Sequence, residues 1–183
     1  MSSPEPDAPA VPDSAHADAA GPAEAAATGG APLQLLPGAA IARLVADDAP
    51  GVIRALGERL LAGGSVTSSF VEAAIAREQK YPTGLPTVIP TAIPHTDPEH
   101  VLTPGIAVAT LASPVPFGEM GSDGATVEVQ LVVMLALRDA STQLAALQDL
   151  MRLLQDLDGV QQLLAAGDDA ELARRVEAWL ARP

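Results

Sequence analysis

The sequence predicts a single α/β domain in which a central mixed β-sheet is flanked by helices on both faces, and three observations carry that expectation. Residues 127–137 form a near-continuous apolar run of strand length, as a strand buried on both faces requires. Helix-period apolar stripes stand before and after it, at Ile53, Leu56 and Leu60 and at Leu144, Leu147, Leu150, Met151 and Leu154. Apolar residues make up 48% of the 183 residues with only one Trp, one Tyr and two Phe, so the core is assembled from Leu, Val, Ile and Ala.

Residues 1–31 are Ala, Pro, Asp, Glu, Ser and Gly almost throughout. With Ala as their only frequent apolar type they cannot offset the entropy of ordering, which predicts a disordered tail with His16 solvated and a domain over residues 32–183. Ile41, Leu44 and Val45 then fall at helical spacing and predict a first helix. Pro50 opens a second, carrying Ile53, Leu56, Leu60 and Leu61 and closed by Gly63-Gly64. Between Ser68 and Lys80, a capping box of Ser69 and Glu72 and an apolar face of Phe70, Ala74 and Ile75 predict a third helix. Tyr81-Pro82 ends it, because the residue before proline disfavours helical backbone, and Arg77 is left near the helix C-terminus.

Strand-like runs follow at Thr87 to Ile93, Gly105 to Ala112 and Val127 to Leu137. After the leucine stripe, a last helix starts at Asp168 or Asp169 and turns Leu172, Val176, Trp179 and Leu180 inward. No internal repeat is visible.

Composition excludes several classes of function. A net charge of −13, with the ten Lys and Arg scattered, argues against binding a nucleic-acid backbone. The acidity serves solubility or draws a basic partner surface. Without cysteine there is no disulfide framework, thiolate nucleophile or Cys-ligated zinc. No apolar run approaches the roughly 18–20 residues that span a bilayer, and no basic start precedes an apolar stretch, so a cytoplasmic protein without membrane insertion is expected.

The chemistry-bearing residues cluster between the third helix and the next strand. His95 lies at a strand end between Pro94 and Pro98, which restrict the backbone and hold the imidazole. A neutral imidazole offers a ring nitrogen to phosphoryl transfer, a reaction that also needs charge stabilisation, and Arg77 is the candidate for that charge. On pattern alone two readings stay open for His95, a nucleophile or a structural loop histidine. His100 reads as an exposed loop residue, and Asp97 and Glu99 as carboxylates that solvate the loop. A metal-dependent hydrolase built on His95, Asp97 and His100 is disfavoured by Pro98 between them and by the lack of any further His outside the tail. Gly84 supplies a positive φ or a close backbone approach in the turn before the site.

Arg77-Glu78, the turn Tyr81-Pro82-Thr83-Gly84-Leu85 and the strand end Ala92-Ile93-Pro94-His95 together resemble the signature of the fructose/mannitol-type IIA components of sugar phosphotransferase systems. The likeness runs in element order over roughly Leu33 to Leu180. The extension from Ile93 to Val101, the segment Pro114 to Phe117 and Met120-Gly121 are most similar to the galactitol-specific branch. The resemblance implies the mannitol/fructose-type IIA fold and a phosphotransferase that uses no metal and no cofactor. It implies that His95 takes a phosphoryl group from the phosphocarrier HPr and hands it to a IIB component. It maps charge neutralisation to Arg77. Thr96 is either a further phosphoryl-binding residue or a turn hydroxyl satisfying its own backbone, Ser141 is a further phosphoryl-binding candidate, and Leu85, Ile93 and Val101 either support a docking surface or serve as ordinary core. One departure stands out: Ser141 occupies, in an ungapped alignment, the place where family members often carry a second His. A hydroxyl donates a hydrogen bond but brings no positive charge. A regulatory protein switched by phosphorylation of His95 is therefore the alternative to a carrier.

Overall fold

The computed structural model describes residues 33–138 and 140–182, with the backbone alone for residues 140–143. The expected tail, 1–31, lies outside the described residues. The described chain runs β1 (Leu35–Leu44), α1 (Ala49–Ala62), α2 (Phe70–Lys80), β2 (Gly84–Leu85), β3 (Thr91–Ala92), a 3-10 turn (Pro98–His100), β4 (Gly105–Gly118), β5 (Thr126–Ala136), α3 (Ala140–Leu153), α4 (Leu157–Leu164) and α5 (Asp169–Leu180). The five strands form one mixed sheet in the order β1-β4-β5-β3-β2. β1 is parallel to β4 and β3 to β5, whereas β4 and β5 pair antiparallel, as do β2 and β3.

Period-two alternation along the central strands divides the core between the two sheet faces. Ala107 and Ala109 of β4 and Val132 and Met134 of β5 pack with Val52, Ile53, Leu56 and Leu60 of α1 and with Phe70, Val71 and Ala74 of α2. Ile106, Val108, Leu131, Val133 and Leu135 point the other way, onto Leu150 and Leu153 of α3, Val160 and Leu163 of α4, and Leu172, Val176 and Trp179 of α5. Trp179 is fully buried, and its indole N–H donates to the Leu153 carbonyl at 3.3 Å, so its one polar atom has a partner. This is the layered α/β architecture expected from the sequence.

Several elements depart from expectation. The segment with Ile41 and Leu44 is β1, not a helix. Ala39 and Ile41 face one side of the sheet and Ala40 the other, which is strand periodicity, and Val45 lies beyond the strand and is 80% exposed. Irregular pairing obscured it: β1 slips register against β4 twice, with Gly38 (φ 70°) and Arg43 (φ 53°) in left-handed conformation. Side chains cover the backbone groups that the slips free. The Ala42 N–H donates to Asp169 and the Arg43 N–H to the Thr110 hydroxyl.

The run Thr87 to Ile93 is mostly a loop, with ladder pairing only over β3, because β2 and β3 are a short hairpin at the sheet edge. α4, held at its start by Asp156 accepting from the Gly159 N–H, was not anticipated. Inside the anticipated helices, Leu61, Leu144 and Met151 face outward. The capping box of α2 does not form: Ser69 makes no cap bond, and Glu72 pairs with Arg54 at 2.8 Å.

The turn between α2 and β2 is pressed against the end of β4. A Cβ at Gly84 would lie 2.6 Å from the Gly118 carbonyl oxygen, and one at Gly118 would lie 2.6 Å from Cβ of Pro82. Gly84 thus serves close backbone approach, and positive φ is not its role. Since the obstacle is backbone, Gly84→Ala is expected to destabilise the protein by about 1–3 kcal/mol. Urea unfolding measures this, with Val45→Ala as a surface control that changes stability by less than about 0.5 kcal/mol.

Candidate functional site

The site is built where the C-terminal turn of α2 meets the chain leaving β3. Pro82 stops the helix at Tyr81, whose N–H closes the last turn on the Arg77 carbonyl at 2.7 Å. Arg77 is carried by that turn, and its guanidinium lies 5.1 Å from the centre of the Tyr81 ring. The ring covers one face of the cation and limits where its donors can point.

His95 is placed by β5. Beyond the two residues of β3, the chain stays beside β5: His95 bridges Leu135 in parallel register, and the Leu135 N–H donates to the Pro94 carbonyl at 2.9 Å. The imidazole is half-buried and has a defined partner on each nitrogen. Nδ1 lies 3.0 Å from the Ile93 carbonyl oxygen, and Nε2 lies 3.1 Å from Nη2 of Arg77. A carbonyl oxygen only accepts and a guanidinium only donates. The pair of contacts therefore assigns the neutral ring with its proton on Nδ1 and a lone pair on Nε2.

Burial holds the proton affinity of His95 below the ordinary value of 6.5, and the positive charge of Arg77 acts in the same direction. The Ile93 carbonyl and the Asp97 carboxylate oppose the shift without reversing it. At neutral pH the site accordingly presents an uncharged nitrogen nucleophile with a fixed cation at hydrogen-bond distance. Such a pair suits reaction with a highly anionic electrophile.

The remaining candidates fall as follows. Thr96 directly follows His95 and is buried. Ser141 belongs to the first turn of α3, which follows the end of β5, and its side chain lies outside what the structure describes. His100 is not a free loop residue. Its Nδ1 lies 2.9 Å from the Ser69 hydroxyl, its carbonyl accepts the Thr67 N–H, and its side chain is only 17% exposed. It ties the 3-10 turn to the start of α2, which explains why Ser69 is not free to cap the helix. Asp97 and Glu99 are exposed. Ile93 and Val101 belong to the two core clusters, and half-buried Leu85 packs against one of them. Among the described residues no group of three or more His, Cys, Asp or Glu is placed to hold a metal ion, and no helix is long and apolar enough to cross a membrane.

Sequence reasoning did not single out Glu78. It is 7% exposed, and its carboxylate accepts both the backbone N–H (3.0 Å) and the hydroxyl (2.6 Å) of the buried Thr83. Burial raises its proton affinity and the two Thr83 bonds oppose that rise. The available signal was an acidic residue beside Arg77 in the last turn of a helix, which spacing alone does not distinguish from a solvated one.

The family model described as "Phosphoenolpyruvate-dependent sugar phosphotransferase system, EIIA 2" matches residues 36–178. Among solved structures, the IIA mannitol protein of Escherichia coli is 27% identical, with a TM-score of 0.60 over 76% of this chain and 93% of that one. The complex of enzyme IIA mannitol with phosphorylated enzyme IIB mannitol, also from Escherichia coli, matches at 24% identity and a TM-score of 0.60, over 74% of this chain and 92% of that one. The nitrogen regulatory protein IIA-Ntr of Neisseria meningitidis matches at 22% identity and a TM-score of 0.56, over 80% and 97% respectively. The last two matches bear on the fold alone. No curated protein matches the sequence significantly.

Because the folded chain holds His95 neutral, it binds protons at that ring more weakly than the unfolded chain does. Stability contributed by this residue is therefore complete above 6.5 and is lost as pH falls below it, until the folded pKa is passed. An NMR titration of the ring is expected to give a midpoint below 6.5, and His95→Gln should remove this part of the acid destabilisation. A midpoint at or above 6.5 contradicts the assignment.

Proposed function

The chain belongs to the EIIA type-2 family of the phosphoenolpyruvate-dependent sugar phosphotransferase system, and from that premise we propose that His95 is its phosphoryl-accepting residue and Arg77 the cation that stabilises the transfer. The observation that carries the reading is the Arg77–His95 contact, with the lone pair on Nε2 and the proton on Nδ1. Nε2 attacks phosphorus in line and the bond from phosphorus to the donor atom breaks. The ring keeps its Nδ1 proton and becomes cationic as the new N–P bond forms, a charge that the Ile93 carbonyl stabilises.

Arg77 has several donors. One N–H rests on Nε2 before reaction, and in the transition state the guanidinium turns to the phosphoryl oxygens. Buried Thr96 and Ser141, the latter at the start of α3, are further contacts for those oxygens. Ser141 contributes a neutral hydrogen bond in place of a second imidazole.

The donor is the phosphocarrier HPr and the acceptor a IIB component, in the cytoplasm, as part of carbohydrate uptake. Support for the IIB partner comes from the mannitol IIA–IIB complex, whose fold this chain shares. The sequence from Ile93 to Val101 favours a galactitol-like system, with fructose-like sugars next. Exposed Tyr81, which stacks on Arg77, offers an apolar contact for partners that dock in turn.

Incubation with phosphoenolpyruvate, enzyme I and HPr is expected to add one acid-labile, alkali-stable phosphoryl group to His95, located by mass spectrometry. His95→Ala should take up none, and Arg77→Ala should accept about 100- to 1000-fold more slowly, as for loss of a charged transition-state donor. Labelling of His95→Ala protein would refute the assignment. Phosphorylated protein that never passes its group to any IIB component would convert the carrier into a regulator.

A further inference from the structure

The proposed chemistry depends on which nitrogen of His95 carries the proton, and that depends on where the Ile93 carbonyl points. Ile93 is the second residue before His95 and lies just past β3, where pairing with β5 has narrowed to the single bridge at His95. Its carbonyl has no ladder role and is turned to the ring instead. Its N–H donates to the carbonyl oxygen of Thr83 at 3.3 Å. Thr83 in turn is held at both its N–H and its hydroxyl by the Glu78 carboxylate. Glu78 is the neighbour of Arg77 on α2, so one helical turn carries both the group that touches Nε2 and the group at the far end of the chain of bonds that reaches Nδ1.

We infer that Glu78 is a positioning residue for phosphoryl transfer: through Thr83 it fixes the backbone at Ile93, whose N–H and carbonyl lie on successive peptide units, and thereby holds His95 in the Nδ1–H form with Nε2 unprotonated. A buried carboxylate is costly unless satisfied, and here both oxygens are satisfied by one residue whose own carbonyl is the anchor for Ile93. The bond pattern favours orientation over charge transmission. The Glu78 and His95 ends are joined through the backbones of Thr83 and Ile93, and no continuous run of polarised hydrogen bonds connects them. Gly118 packs against Pro82 from the other side, so the turn carrying Thr83 is fixed between α2 and β4. This inference rests on the reading of His95 as the acceptor.

The test compares the full chain with Glu78→Ala, Glu78→Gln and Thr83→Val in two measurements. The first is the nitrogen–proton correlation spectrum of the His95 ring in unphosphorylated protein, which reports the tautomer whether or not transfer occurs. The second is the rate of phosphoryl acceptance from phosphorylated HPr. Wild type is expected to show the Nδ1–H form alone. Glu78→Ala should show a mixture with the Nε2–H form and accept the group about 10- to 100-fold more slowly, the scale of a small misplacement of a reacting atom.

Glu78→Gln keeps an acceptor for the Thr83 N–H and a partner for its hydroxyl, and should restore the wild-type tautomer with a rate within about threefold of wild type, since geometry and not charge is what is required. A role confined to stability would lower the melting temperature of Glu78→Ala while leaving the tautomer of the folded protein unchanged, and that result overturns the inference. If Glu78→Ala does not fold, Thr83→Val decides: it keeps the backbone bond and loses the hydroxyl, and an unaltered tautomer with an unaltered rate overturns the inference equally. Should wild type prove unable to take the phosphoryl group at all, the tautomer comparison still tests Glu78 while the functional reading fails separately.

Discussion

β5 is the element on which the rest of the molecule depends. Its inward residues are buried on both faces, Val132 and Met134 toward α1 and α2 and Leu131, Val133 and Leu135 toward α3, α4 and α5. β4 fills one edge in antiparallel register, and β3 takes the other. A strand so enclosed cannot slide by one residue without exchanging its side chains between two separately close-packed cores. The bond from the Leu135 N–H to the Pro94 carbonyl transfers that rigidity to a segment that has almost left the sheet. His95 therefore has a fixed backbone at a point where its side chain is free of ladder constraints.

Around that fixed point two kinds of polar group divide the imidazole between them. The Ile93 oxygen can only accept and the Arg77 guanidinium can only donate, so the ring has one favoured protonation state. Burial reinforces the same state by disfavouring the imidazolium. The site thus presents a neutral imidazole nitrogen beside a cation, and in the proposed reaction the anionic charge is brought by the phosphoryl group. The overall acidity of the chain has no counterpart at this contact, where the nearest fixed charge is positive.

The layered fold left local marks in the sequence; those marks also suggested Arg77 as the charge for His95 but left the imidazole open between nucleophile and loop histidine, and the family resemblance carried the pairing. The long apolar run became β5, and Tyr81-Pro82 marked the helix end that carries Arg77. β1 was misread because Ile41, Leu44 and Val45 happen to recur at helical spacing, while the two register slips of the strand hide its true alternation. α4 was missed because eight residues are too few for a periodic stripe to stand out. The capping box at Ser69 and Glu72 was a sound local pattern defeated by tertiary partners, since His100 takes the serine and Arg54 the glutamate. Glu78 and Thr83 were invisible as a pair for a related reason: burial and the fold of the turn, not spacing, bring them together.

The central claim is that Nε2 of His95 is the reacting atom, and the most direct test is to identify the modified nitrogen. Protein labelled with nitrogen-15 at histidine and phosphorylated through HPr should show phosphorus–nitrogen coupling at Nε2, with the proton still on Nδ1 and bonded to the Ile93 carbonyl. Coupling at Nδ1, or a phosphoryl group on any residue other than His95, would contradict the account, because the geometry leaves only Nε2 with a lone pair to give.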